Sequence, residues 1–224
     1  MPDREIAAPR VESPVPLVIA GGGEHACVVA DAVVASGRFF LRGYTDLKGG
    51  ALLEQRFRVP YLGDDRRGGS ENSDALFVIA LGSLVASTRA LAVLESIGVR
   101  FASVVHPRAT VAESSTIEPG AVILAGAVVN TGAVIGPHAT VNTSAVIEHD
   151  VHVDRLAHVS PAAAIGGGAR IHARAVIGLG ARVRDHVTVG EGAVVGMGAV
   201  VVADVRAGET VVGVPARPIG AARG

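Results

Sequence analysis

Aromatic side chains are scarce in this sequence and confined to one half of it. The 224 residues hold no Trp, two Tyr and five Phe, and none lies beyond Phe101. Cysteine is nearly absent. The single Cys27 excludes an internal disulfide framework and gives no sign of an oxidising compartment. Lys48 is the only lysine. Twenty basic residues against 21 acidic ones leave a net charge of −1, without the basic excess of a nucleic-acid binder. No apolar run reaches about 18 residues without Gly or a charge, so no membrane span is expected. Residues 1–16 are charged and Pro-rich and lack the apolar core of a secretion signal. A cytoplasmic location is the expectation. With 49% apolar and 18% charged residues, the composition excludes an intrinsically disordered chain.

What the chain does have is a repeat. From Val105 to Val201 an apolar β-branched residue recurs at every sixth position, seventeen times without a gap. Four residues after each comes a small or modest apolar residue: Ala in thirteen cases, Ser115 once, and Val151, Val187 and Val205. Period six is neither the helical 3.6 nor the strand 2. It fits a short strand and a turn, repeated. One such strand cannot bury its own apolar side. Coiling the chain so that every sixth residue points at a shared axis lets each turn stack on the last. Three hexads then make one triangular coil. Nearly six coils follow, a prism roughly 27 Å long at about 4.8 Å per rung. Ile and Val fill its flat sides and Ala its corners, which leaves no room for rings.

The first hundred residues read differently. Leu17–Ala20 is a short apolar strand, followed by Gly21-Gly22-Gly23-Glu24-His25 and a helical stretch over 26–35 closed by Gly37. A second strand is expected over 40–45 and a third over 74–81. Ser83 is a candidate N-cap for a helix running to Ser96, and a strand over 101–105 leads into the repeats. Residues 48–73 are expected to form surface loops. Alternating strand and helix imply a small parallel α/β layer. The expected organisation is a flexible segment over 1–15, an α/β nucleotide-sugar-binding domain over 16–104, a β-helix over 105–217 and a tail over 218–224.

The stretch from Gly21 to Ala26 follows a strand and opens a helix, and fits the G-x-G-x-x-A variant of the dinucleotide fingerprint. Asp46 stands where a ribose-binding acid would. Glycines let backbone N–H groups approach a phosphate at a helix N-terminus. About 85 residues are too few for a complete nicotinamide domain, so a nucleotide held by a half-domain is expected.

The repeats resemble the hexapeptide-repeat, left-handed parallel β-helix proteins, which are mostly acyltransferases. The hand comes from that resemblance. The chain as a whole, over roughly residues 16–217, resembles the bacterial NDP-sugar N-acetyltransferases with an N-terminal Rossmann-like α/β half-domain, and the related sialic acid O-acetyltransferases. The marks are the glycine loop with His25, the segment Asn142-Thr143-Ser144-Ala145-Val146-Ile147-Glu148-His149-Asp150, the segment Leu156-Ala157-His158-Val159-Ser160-Pro161, Gly167, and the closing Val212-Gly213-Val214-Pro215-Ala216-Arg217. Glu24 is a departure, because this family commonly has Gly before the loop His. A carboxylate repels phosphate, so Glu24 is expected to point away or the phosphate to lie elsewhere.

Seven of the eight His lie in the repeats, and none occupies an inward phase. His149 stands between Glu148 and Asp150, either of which suits orienting an imidazole. The resemblance implies that His149 is the general base, oriented by Asp150 or Glu148. It implies acetyl-CoA as co-substrate and an amino group of a nucleotide-linked 4-amino-4,6-dideoxy sugar as acceptor, for surface glycan synthesis. It implies substrate contacts at Gly21, Gly22, Gly23, His25, Asp46 and Asn142. It implies coenzyme contacts at His158, Gly167, Leu179 and Met197, and a homotrimer with active sites between subunits. No metal is expected. An imidazole near pH 7 suits removing a proton from an attacking amine. A backbone N–H, such as that of Gly167, suits the developing oxyanion. Rival readings are O-acetylation of a sugar with the same base, a zinc hydratase using His149, His152 and His158, and a non-catalytic β-helix assembly protein.

Overall fold

The computed structural model describes residues 14–219. The flexible segment and tail expected at the termini lie largely outside these residues. The first hundred residues form four parallel strands, β1 (Val15–Ala20), β2 (Phe39–Thr45), β3 (Leu76–Ile79) and β4 (Arg100–Phe101), in the order β2-β1-β3-β4. Helices α1 (Glu24–Ser36), α2 (Leu52–Phe57), α3 (Asp65–Glu71) and α4 (Leu84–Ser96) connect them. Gly37 ends α1 in the left-handed conformation at φ 63°, which glycine adopts without steric cost. Ser83 caps α4 by accepting from the Ala86 N–H.

Helices α2 and α3 correct the loops expected over 48–73. Their start and stop signals are local and short. Asp64 caps α3 by accepting from the Arg67 N–H at 2.8 Å. In α2, Leu53 is fully buried, and the Tyr44 hydroxyl donates to Glu54 Oε2 at 2.9 Å. Tertiary packing makes these two-turn helices, which are too short to form alone.

Beyond β4, two-residue strands follow every six residues and pair in parallel with the strand eighteen residues on, such as Val134 with His152 and His152 with Arg170. Three flat sheets result. The first face carries Val122–Ile123, Thr140–Val141, His158–Val159 and Val176–Ile177; the second Val128–Val129, Val146–Ile147 and Ala164–Ile165; the third Val134–Ile135, His152–Val153 and Arg170–Ile171. The sixth-position residues from Ile123 to Val201 and the alanines four residues after them are at most 3% exposed. At the corners, positive φ recurs at every sixth residue from Gly120 to Gly198. Half of these positions are not glycine: His138, Ser144, Asp150, Leu156, Ala162, Arg174 and His186. The last coil is short, since Val194 pairs with Thr210, and Arg217–Pro218 closes it as an antiparallel strand.

The two regions share apolar surface. Val104, Val122 and Leu124 of the first face pack with α1 residues Ala26, Val29 and Val33. Leu156 packs with Phe77, Leu91 and Leu94 on the other side of the small sheet. A bulky residue at positive φ is strained, and burial of the Leu156 side chain in this cluster offsets the strain.

Candidate active site

The corner between the second and third faces carries His149 and Asp150. His149 Nδ1 lies 3.0 Å from Asp150 Oδ2. Glu148 is held elsewhere: Asn130, one coil earlier, donates to its Oε2 at 3.1 Å. Asp150 is therefore the carboxylate that orients the ring, which the sequence left open between the two. With Nδ1–H donating to Asp150, the neutral tautomer leaves Nε2 as the basic nitrogen. That edge of the ring covers Gly167 on the next coil, where any Cβ would run into the imidazole. Gly166 and Gly168 donate their N–H groups to Val183 and His149 carbonyls, whereas the Gly167 N–H has no acceptor among the described residues. The Gly167 backbone thus lies against the Nε2 edge of the ring.

His158 is nine residues after His149, half of an eighteen-residue coil, so it lies on the first face, across the prism. There it meets the α/β domain. Its ring stands edge-on to that of His25 at 5.9 Å between centroids, and its Nε2 is 3.4 Å from Asn142 Nδ2. Burial, then the neighbouring His25, lowers the His158 pKa to about 4. Burial also lowers that of His25. Both are neutral near pH 7 and suited to hydrogen-bonding uncharged groups. His25 and His158 line a cavity of about 210 Å³ together with Thr140, Ser160, Leu81 and His138. His138 Nδ1 is buried without a hydrogen-bond partner, and burial first, then Arg155, lowers its pKa to about 4.

A second cavity, about 310 Å³, opens at the carboxyl ends of β1, β2 and β3, lined by Gly21, Asp46, Asp65, Leu81, Ser83 and Arg89 among others. Neighbouring strands β2 and β3 leave β1 in opposite directions here, the switch point at which open α/β sheets bind ligands. Leu81 lines both cavities, so the two adjoin.

The glycine loop between them is partly engaged by the protein itself. Gly21 N–H donates to the Thr45 carbonyl at 2.8 Å and Gly22 N–H to Asp46 Oδ2 at 2.8 Å. A Cβ at Gly21 would meet the Ala80 carbonyl oxygen at 2.7 Å, and one at Gly22 would strike Ala51 and Tyr44. Both are glycine for close backbone packing. Gly23 faces open space and starts α1 with no side-chain cap. Glu24 is exposed in that first turn. Leu179 and Met197, one coil apart, are exposed at the corner between the first and second faces, at 57% and 79%.

Within the chain the residues thus fall in three places: His25, Asn142 and His158 at the first face, His149, Asp150 and Gly167 at the corner between the second and third faces, and Leu179 and Met197 at the corner between the first and second, so the expected coenzyme contacts are not brought together in one chain. Among the described residues, no three His, Cys, Asp or Glu side chains are grouped to hold a metal ion, and His149, His152 and His158 lie on a corner, the third face and the first face. Thr140, Ser160 and Asn130 were missed in the sequence. Coil arithmetic finds them, each eighteen residues from or two residues after a residue already singled out. Asp65 and Arg89 carry no such signal.

No family model matches the sequence, and the search of curated proteins gives no match. Solved structures do match. PerB from Caulobacter crescentus, a perosamine N-acetyltransferase in complex with CoA and GDP-perosamine, is 33% identical with a TM-score of 0.84, covering 92% of this chain and 97% of that one. The acetyltransferase domain of PglB from Neisseria gonorrhoeae, also solved with acetyl coenzyme A, is 33% identical with a TM-score of 0.82, covering 91% of this chain and 99% of that one. WeeI from Acinetobacter baumannii is 25% identical with a TM-score of 0.81, covering 92% and 100%.

Proposed function

The chain belongs to the bacterial acetyl-CoA-dependent sugar N-acetyltransferases built on a hexapeptide-repeat left-handed β-helix, and from this we propose that it acetylates the amino group of a nucleotide-linked 4-amino-4,6-dideoxy sugar in a ternary complex. The nucleotide occupies the cavity at the strand ends. The pyrophosphate passes the Gly23 end of the loop. The sugar reaches the cavity of His25 and His158.

The amine attacks the thioester carbonyl, and His149 Nε2 takes the amine proton. Asp150 holds the ring and stabilises its charged form. As the tetrahedral centre forms, the free Gly167 N–H meets its oxyanion. The C–S bond then breaks, and the imidazolium returns the proton to the leaving thiolate. Acetyl-CoA is already activated, and Cys27 is buried in the α/β domain, so no acyl-enzyme is invoked. The pantetheine arm lies between subunits, against Gly167 of the chain that supplies His149 and against the corner of Leu179 and Met197 of its neighbour.

The observation that carries this reading is the His149–Asp150 pair, with the Nε2 edge of its ring against Gly167, whose N–H has no acceptor among the described residues. It also requires more than one chain. His149 faces away from the sugar cavity of its own subunit, so the base comes from a neighbour. Of the outward residues of the second face, Val128, Val146, Ala164 and Val200 are apolar and half-buried, whereas Thr110 and Arg182 are exposed; the apolar ones suit an interface. A closed homotrimer satisfies both. In this reading the product serves surface glycan synthesis, and the use of acetyl-CoA supports a cytoplasmic reaction. No described helix is long and apolar enough to cross a membrane.

The test is thiol release from acetyl-CoA with a panel of nucleotide-linked amino and hydroxy sugars. Amino sugars are expected to react. Reaction with hydroxy sugars alone would move the reading to O-acetylation. His149→Ala is expected to lower turnover by about 10²–10⁴ with the trimer intact. Co-expressed His149→Ala and His158→Ala subunits are expected to regain activity at about a quarter of their sites, the random-mixing value for paired subunits. No recovery would place base and sugar site on one chain.

A further inference from the structure

The identity of the nucleotide base is written in the cavity at the strand ends. This inference rests on the nucleotide-sugar reading and goes one step past it. The walls of this cavity are apolar, with Leu81, Val85, Ala86 and Ala90 facing a space of about 310 Å³, enough for a purine ring. Its polar groups are mostly acceptors. Asp46 already receives the Gly22 N–H on one oxygen and the Leu47 N–H on the other, at 2.8 and 2.6 Å. Asp65, at the start of α3, receives the buried Thr45 hydroxyl on Oδ1 at 2.6 Å. Its Oδ2 has no hydrogen-bond partner among the described residues. Arg89 is the one cationic side chain lining the cavity.

A half-buried carboxylate with a free oxygen selects among base edges. Guanine offers two adjacent donors, N1–H and the 2-amino group, with O6 and N7 as acceptors on the far side. Adenine and cytosine place a ring lone pair beside their amino group. Uracil and thymine place one imino donor between two carbonyl oxygens. Each of these presents a lone pair to the carboxylate, and charged acceptors reward donors and penalise lone pairs strongly. We propose that the cavity recognises a guanine nucleoside diphosphate, with Asp65 accepting from the guanine N1–H and 2-amino group and Arg89 donating to its acceptor edge. Burial, then the nearby Asp46 and Asp64, raises the Asp65 pKa, a cost that a pair of bound donors relieves.

The experiment is calorimetric titration of the full-length protein with GDP, IDP, ADP, UDP and dTDP. GDP is expected to bind at least about tenfold more tightly than UDP, dTDP and ADP. IDP lacks only the 2-amino group and is expected to bind about tenfold more weakly than GDP, the loss for one unmade charge-assisted bond. Asp65→Asn is expected to remove the GDP–IDP difference while leaving acetyl-CoA binding and the melting temperature unchanged. UDP or dTDP binding as tightly as GDP would overturn the base assignment and leave the nucleotide-sugar reading standing, as would a GDP–IDP difference that survives in Asp65→Asn. Failure of every diphosphate to bind would overturn both.

Discussion

The β-helix and the α/β domain solve the same problem, burial of apolar surface, in opposite ways. In the β-helix a residue's position modulo six decides whether it points inward, and modulo eighteen decides its face. Outward positions are therefore free to carry chemistry at no cost to the core, and His149, Asp150 and His158 all occupy them. In the α/β domain each buried residue has its own neighbours: Tyr44 against Tyr61 and Glu54, Leu53 beneath the glycine loop, whose Gly22 carbonyl it binds through its N–H at 3.0 Å. The first region places groups by arithmetic; the second shapes a pocket by particular contacts.

The sharpest way to break that contrast is to truncate both cores. Ile147→Ala and Ile165→Ala, on successive rungs of the second face, are each expected to cost about 2–5 kcal/mol. Because their surroundings repeat, the two costs should agree within about 1 kcal/mol, the spread that context alone gives at fixed chemistry being larger. Leu17→Ala and Leu53→Ala in the α/β domain lie in unlike surroundings and should differ by more. Denaturant midpoints of the four variants measure it; a wide spread within the β-helix would end the claim of equivalent rungs.

Gly167→Ala tests the next effect down. Gly167 is not at positive φ, so alanine suits the backbone, and only the His149 ring must yield. Stability should hardly change. Displacing His149 by about 1 Å is expected to lower kcat by about 10². A fall in melting temperature that matches the loss of activity would assign Gly167 to the turn and not to the ring.

How much of this was legible in sequence follows from the same contrast. Coils, inward residues and faces came from counting, because stacking forbids any other placement. Separation of His149 from His158 was implicit in their nine-residue offset. The choice of Asp150 over Glu148 was not, since it depends on Asn130 one coil away. In the α/β domain strands β1, β2 and β3 and the two longer helices were legible from apolar runs and caps, but the one strand expected over 101–105 is split, Arg100–Phe101 closing the α/β sheet and Val104–Val105 starting the first β-helix face. Helices α2 and α3 were not legible, being held by Glu54, Tyr44 and Asp64 contacts. Gly21 and Gly22 matched a phosphate fingerprint, yet their N–H groups serve Thr45 and Asp46. Nothing in the spacing of Asp65 and Arg89 hinted that they share a cavity.

A smaller effect arises where the two regions meet. His138 and His158 both have pKa values lowered to about 4, chiefly by burial. In the unfolded chain each titrates near 6.5. Between these values the unfolded state binds more protons, so stability rises with pH across that window and is flat above it. The melting temperature is expected to fall by roughly several degrees from pH 7 to pH 4.5. His138→Asn, which tolerates the left-handed corner, should reduce that fall; an unchanged pH profile would remove His138 from the account.

The smallest effect is expected at the one ion pair that, among the described residues, ties the regions together. Arg155 on the β-helix donates to both carboxylate oxygens of Glu95 on α4, each at 2.9 Å. Both bonds come from one nitrogen, Nη2, a bifurcated contact and not a two-nitrogen fork. The side chains are 46% and 44% exposed, and such pairs contribute about 0–1 kcal/mol. Beside it, Leu156 buries its side chain among Phe77, Leu91 and Leu94, where truncation to Ala costs about 2–5 kcal/mol. Glu95→Gln should therefore shift the unfolding midpoint barely at all, and high salt should leave wild type and variant alike. A loss above about 2 kcal/mol from Glu95→Gln, well beyond the exposed-pair range, would mean that charge, and not the apolar seam, holds the pocket-forming domain on its scaffold.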